Sequence, residues 1–260
     1  MVNLNKGWAS DSGHWYTKTG DPAYTYTGKD GTQKNTTLRE ARKMGLVPSV
    51  TTITRALASP GLQEWKQRQI LMSALTLPRW DGESDDSFID RILTDSTEQT
   101  RSAANKGEEG HAAIECSFRG LQYDKAWEKT VEICRIAIDD SFPGIKWIPE
   151  RSFAHELGFG GRVDLQGDGI VIDFKSKDGD LSDVKCYDEH YMQGAAYVKG
   201  LFGSGKSANL FFSRTHPGLA KLVIHTEEEH ERGWQMFYHC LKLWQIKNKY
   251  SPEKANVLES

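Results

Sequence analysis

Long hydrophobic runs are missing from this sequence. Apolar stretches such as Ile170 to Ile172 fall far short of the about 20 residues a membrane-crossing helix needs, so no membrane association is expected. Cysteine is scarce and scattered: Cys116, Cys134, Cys186 and Cys240 form no Cys-x-x-Cys pair, which argues against a zinc ribbon, an iron–sulfur cluster or a disulfide framework. Surplus positive charge is also lacking. With 33 basic and 36 acidic residues, a net −3, any hold on nucleic acid has to come from a local basic groove. No repeat or low-complexity segment is seen, which sets aside repeat architectures and disordered tails. Met1 to Asp21 lacks the basic start and apolar core of a secretory leader, so an intracellular location is expected.

What remains is 260 residues, 38% hydrophobic, enough for one well-buried α/β core with additions. Residues 1–45, rich in turn formers and aromatics (Trp8, Trp15, Tyr16, Tyr24, Tyr26), read as a β-rich extension. Residues 46–103 read as a helical lobe punctuated by Pro48, Pro60-Gly61 and Pro78, and residues 104–260 as the core. A long helix is expected over Phe88 to Phe118, with a break near Gly107 or Gly110, and an amphipathic helix over Tyr123 to Asp140. A β-meander follows: Lys146 to Phe153, Gly161 to Leu165 and Gly169 to Lys175, the last two joined by the turn Gln166-Gly167-Asp168. A helix over Tyr187 to Leu201, strands at Ala208 to Ser213 and Lys221 to Thr226, and a C-terminal helix opened by a Thr226–Glu229 capping box complete the chain.

Strand alternation puts Val163 and Leu165 on one face and Arg162 and Asp164 on the other, and sets Asp173 and Lys175 against Ile172 and Phe174. Paired through the short turn, Asp164 falls opposite Val171 and diagonally next to Asp173. Two carboxylates so close repel unless a cation lies between them, and Mg²⁺ or Mn²⁺ favours such oxygen ligands. Lys175, on the same face as Asp173, could orient or deprotonate a water or stabilise a pentacovalent phosphate. The same three charges would also suit the wet face of a half-exposed sheet. Two helical pairs at i, i+4 add weight: His111 with Glu115, where an imidazole can ligate a metal, and Gln193 with Tyr197 on the helix after the Asp-x-Lys strand.

The ordered set Gly107-x-x-x-His111-x-x-x-Glu115, Glu150, Gly161-Arg162-x-Asp164, Asp173-Phe174-Lys175 and Gln193-x-x-x-Tyr197 resembles the RecB-type branch of the PD-(D/E)XK nucleases, over about residues 104–200. The resemblance implies a restriction-endonuclease-like α/β core, a mixed sheet flanked by helices with a helical N-terminal lobe. It implies His111, Asp164, Asp173 and the Phe174 carbonyl as ligands of one or two Mg²⁺ or Mn²⁺ ions, Lys175 as catalytic, Gln193 and Tyr197 as accessory site residues, and Glu115 and Glu150 in support. Pro48 to Ile53 with Trp65 is similar to the N-terminal lobe of phage and mitochondrial single-domain exonucleases of this branch. The implied activity is exonucleolytic cleavage of DNA that is single-stranded or has a free end, in replication, recombination or repair. The chain would be phage-encoded and work beside a helicase or recombinase. The N-terminal aromatics could grip a single strand by stacking, or form a small aromatic core. The cysteine spacing of the branch's iron–sulfur members is lacking, so no cluster is expected.

Gly200 to Ser207 matches the phosphate-loop pattern Gly-x-x-x-x-Gly-Lys-Ser. That motif needs a strand before it and a helix after; here a helix enters and an apolar strand leaves, so the glycines read as a helix end and no ATP binding is expected. Gly158-Phe159-Gly160-Gly161 precedes a strand and reads as a bend beside the site, where glycine lets a ligand approach. The rivals are a structure-specific or restriction-like endonuclease, a non-catalytic DNA-binding subunit on a nuclease fold, and an ATPase.

Overall fold

A computed structural model of the chain describes residues 13–57 and 60–252; Trp8, one of the N-terminal aromatics, lies outside them. Three short strands, β1 (Trp15–Tyr16), β2 (Thr25–Thr27) and β3 (Gln33–Asn35), precede helix α1 (Leu38–Met44), which Thr37 caps and Gly45 closes at φ 66°. Strand β4 (Val47–Pro48) pairs antiparallel with β1, and Ser49 then starts α2 (Val50–Thr54) by accepting from the Thr52 amide. Helices α3 (Pro60–Thr76) and α4 (Asp85–Arg119) lie side by side. After a 3-10 turn at Lys125–Trp127 come α5 (Glu128–Ser141), β5 (Ile148–His155), β6 (Phe159–Gly167), β7 (Ile170–Lys177), α6 (Asp188–Phe202), β8 (Lys206–Ser213), β9 (Ala220–Ile224) and α7 (Glu227–Lys247). The expected capping box is there: Thr226 accepts from the Glu229 amide and the Glu229 carboxylate returns the bond.

The architecture is mixed α/β. Five strands form one sheet in the order β5-β6-β7-β8-β9, antiparallel except for the parallel β7–β8 pair. A parallel neighbour needs a crossover, and α6 supplies it. One face of the sheet packs under α6, α7 and α2 through Val50, Ile53, Val171, Met192, Tyr197 and Phe237. The other packs against α4 and α5 through Ile114, Val131, Cys134, Ile138, Ile172 and Phe174.

Three expectations need correction. The β6–β7 turn has two residues, not three: Gly167 pairs with Ile170, leaving Asp168 and Gly169 at φ 46° and 79°, the doubly left-handed backbone for which Asp-Gly is the standard signal. Val171 therefore faces Gln166, and continuing that register brings Asp164 level with Asp173. Strict alternation also fails along β6. Val163 joins the core under α6 and α7, whereas Leu165 joins the opposite core, so the pleat is interrupted at Asp164. Across from that interruption Glu150, between the pairs Pro149–Leu165 and Arg151–Val163, has φ 56°, a backbone unfavourable for a residue with a Cβ. Finally, α4 runs unbroken past Gly107 and Gly110. Those glycines serve packing: a Cβ on Gly107 would lie 2.6 Å from Ser176 Oγ, and one on Gly110 2.5 Å from the Phe212 ring, so their absence lets the helix sit close on the sheet.

Of the N-terminal aromatics, Trp15 and Tyr16 are 2% exposed, and Trp15 packs with Ala41, Leu46 and Trp244. These two rings are core and not a stacking surface.

Candidate functional site

Strand β7 presents Asp173 and Lys175 toward α6, whose i, i+4 spacing turns Gln193 and Tyr197 together onto them. The Lys175 ammonium lies 2.7 Å from Asp173 Oδ2 and donates to Gln193 Oε1 at 3.0 Å. The Gln193 amide nitrogen donates to Asp173 Oδ1 at 2.7 Å and to the Tyr197 hydroxyl at 2.9 Å. Gln193 is thus the hub that fixes carboxylate, ammonium and phenol relative to one another. Close approach of Tyr197 depends on Gly161, where a Cβ would come within 2.7 Å of the ring. Of the glycines of Gly158 to Gly161, Gly161 makes room for Tyr197, and Gly160 for the Phe153 carbonyl and the Tyr16 side chain.

Electrostatics hold this group in defined states. Burial works to lower the Lys175 pKa, but the charge and hydrogen bond of Asp173 and the charge of Asp164 outweigh it, so the net shift is upward and the amine stays an ammonium. Burial, reinforced by Asp173, pushes the Tyr197 hydroxyl well up, keeping it a neutral phenol.

Asp164, at the interruption of β6, accepts from the Phe174 amide at 2.6 Å through Oδ2. Burial and the neighbouring Asp173 charge raise its carboxyl pKa, against that hydrogen bond and Lys175. Facing the same oxygen from α4, 3.7 Å away, is Nδ1 of His111, whose ring packs edge-on against Phe174 and Phe212. Burial pushes His111 down to about 4, so at neutral pH it is an uncharged imidazole with a lone pair to offer.

Whether these groups suit a divalent cation can be judged from the donors. A neutral imidazole, two carboxylates and the Phe174 carbonyl are the ligand types Mg²⁺ and Mn²⁺ accept. Asp173 Oδ1, with one hydrogen bond, keeps a lone pair. The set is not drawn together, however: among the described residues no three His, Cys, Asp or Glu side chains are gathered as a metal grip. Asp173 is turned to Lys175, Gln193 and Asn209 while His111 faces Asp164.

Glu115 and Glu150 lie further out. Glu115 pairs with Arg119 at 2.8 Å on α4, and Glu150 with Arg162 at 2.6 Å across β5 and β6. Burial, together with the Glu115 charge, raises Glu150, and Glu150 in turn raises Asp164, which places both acids at the border of the group.

Gly203 ends α6 and Lys206 opens β8, the reverse of the strand-to-helix order of a phosphate loop. Gly203 to Gly205 instead line a cavity of about 410 Å³ with Lys199, His230, Glu227, Glu228 and Glu231.

Sequence reading missed Asn209. It sits beside Asp173 in the β7–β8 register, is 1% exposed, and donates to Asp173 Oδ2 at 2.9 Å. Its signal was slight, one amide within an apolar strand, and acquires meaning only from the parallel pairing.

No known family model matches the chain, and no curated protein matches it. Solved structures that superpose on it include a candidate exonuclease from Eubacterium rectale, at 12% identity and TM-score 0.41 over 56% of this chain and 69% of that one. Another is an alkaline exonuclease from Laribacter hongkongensis, at 16% identity and TM-score 0.33 over 57% and 84%. Neither TM-score reaches 0.5, so function has to be argued from the residues themselves.

Proposed function

We propose that the chain is a Mg²⁺- or Mn²⁺-dependent nuclease that hydrolyses DNA phosphodiester bonds, acting as an exonuclease on single strands or free ends. The observation that carries this reading is the convergence on one sheet of Asp164 beside a neutral His111 and of Asp173 tied to Lys175 by Gln193. His111, Asp164, Asp173 and the Phe174 carbonyl would hold the ion, which supplies Lewis acidity to acidify water and offset charge on the phosphate. Lys175 spends one N–H on Asp173 and one on Gln193, which leaves a third for a substrate oxygen, and its ammonium state suits it to stabilise negative charge at that oxygen. Gln193 holds the lysine in place, and Tyr197 braces Gln193 from behind. Exonuclease action, and a role in replication, recombination or repair, rest on the motif resemblance to RecB-type nucleases.

The test is digestion of end-labelled linear single- and double-stranded DNA beside a closed circle, with Mg²⁺, Mn²⁺ or EDTA. Metal-dependent loss of linear DNA only is expected, absent in Lys175→Ala. Cutting of the circle would make the protein an endonuclease, and no digestion under any condition would leave a DNA-binding subunit.

A further inference from the structure

Behind Asp173 runs a buried chain of polar side chains that the reading above does not use. Asn209 donates to Asp173 Oδ2 at 2.9 Å, and its own Oδ1 lies 2.8 Å from His225 Nε2. The other ring nitrogen of His225 is 2.9 Å from Ser207 Oγ, which is 3.1 Å from His230 Nδ1. Asn209, His225 and Ser207 are each at most 6% exposed.

The contacts fix the hydrogens nearest the carboxylate. A carboxylate accepts and cannot donate, so the Asn209 NH₂ must face Asp173 and its carbonyl must face the histidine. That carbonyl requires N–H on His225 Nε2, since the Cys186 thiol at 3.5 Å is a weaker donor. Burial pushes His225 down to about 4, so the ring is neutral and its Nδ1 is an acceptor, filled by the Ser207 hydroxyl. Ser207 in turn accepts from His230. Every donor therefore points toward the carboxylate.

The result is an asymmetric Asp173. Its Oδ2 accepts from both Lys175 and Asn209, which fills its two lone-pair sites, while Oδ1 accepts from Gln193 alone. We propose that Asn209, held in one orientation by His225, is a positioning residue that saturates Asp173 Oδ2 and so selects Oδ1 as the oxygen presented to a divalent cation. This rests on the nuclease reading. Without Asn209 the carboxylate can rotate, and both oxygens compete for lysine and ion. Partners that orient a metal's ligands are typically worth about 10–100-fold in affinity or activity.

The experiment compares wild type with Asn209→Ser, His225→Leu and His225→Gln, reading Mn²⁺ affinity by calorimetry, Mn²⁺-dependent cleavage of linear DNA, and thermal unfolding to establish that each variant is folded. Glutamine can donate an N–H to the Asn209 carbonyl; leucine cannot. Asn209→Ser and His225→Leu are expected to bind Mn²⁺ about 10–100-fold more weakly while folded, with His225→Gln recovering most of the loss. If His225→Leu does not fold, Asn209→Ser against His225→Gln carries the comparison. Wild-type binding and cleavage with unchanged affinity in folded Asn209→Ser would overturn the inference alone. A wild type that neither binds Mn²⁺ nor cleaves would overturn the nuclease reading and this inference with it.

Discussion

At the scale of single residues, Asp173 and Lys175 are each other's partners, so removing one strands the other. Lys175→Ala leaves Asp173 with only amide donors, and Asp173→Ala leaves a buried ammonium near the remaining charge of Asp164. Both variants are expected to lose cleavage by at least about 100-fold, the scale of losing one preorganised stabilising group. Only Asp173→Ala should also lose Mn²⁺ binding, which calorimetry would check. Full activity in both would dismantle the site.

Two buried histidines give the molecule an acid sensitivity of known sign. Burial lowers His190 to about 3 and His225 to about 4, below the ordinary 6.5, so each favours the fold while neutral. Their contribution is full above pH 6.5 and is lost as the pH falls toward 4 and then 3, by up to about 1.4 kcal/mol per pH unit for each group. Asp164, raised in the fold, works in the opposite sense. The informative comparison is therefore the thermal midpoint of wild type against His225→Gln from pH 7 to 4: the variant should lose less on acidification. Parallel curves would remove His225 from the account.

At the scale of elements, the periodicities that sequence carries were readable, and the pairings between elements less so. Helices and strands from residue 123 onward fall within a few residues of their expected ends because alternation, caps and Pro-Gly breaks are local signals. The β6–β7 register differs from the expected one because Asp168-Gly169, the stronger two-residue turn signal, sets the hairpin in place of Gln166-Gly167-Asp168. Asn209 was invisible for a different reason: its partner is 36 positions away, across a parallel pairing that no local pattern encodes. The i, i+4 spacings and strand alternation were local enough to anticipate proximity: the structure places Asp173, Lys175, Gln193 and Tyr197 in one hydrogen-bonded group and His111 beside Asp164.

Glycine in α4 supplies the test at this scale. Gly110→Ala must push its methyl against Phe212 and Trp127 and lift the helix next to His111. A loss of about 1–3 kcal/mol is expected in chemical denaturation, as for other overpacked sites. Lys206→Ala, at the exposed mouth of β8, should leave cleavage nearly intact, because Gly200 to Ser207 is a helix end and strand start. Activity assays that showed its cleavage collapsing would revive a role for that loop.

At the scale of the whole molecule, two cores share one sheet, and the group of charged residues lies where both meet it: Asp173 and Lys175 toward α6, His111 from α4 on the other side, and Asp164 at the break in β6 between them. Outside these cores α3 and the first half of α4 form an arm with Leu71, Leu75, Trp80 and Ile89 exposed. Arg214 ties the middle of α4 to the sheet, donating to the Ala103 carbonyl at 2.8 Å while its fork grips Asp178. Eighteen residues separate Asp85 from Ala103, and eight separate Ala103 from His111. At 1.5 Å of rise per residue these are lengths of about 27 Å and about 12 Å on one continuous rod. One continuous helix thus joins the exposed arm to the sheet, with the Arg214 contact about 27 Å along it from the outer end and about 12 Å from His111.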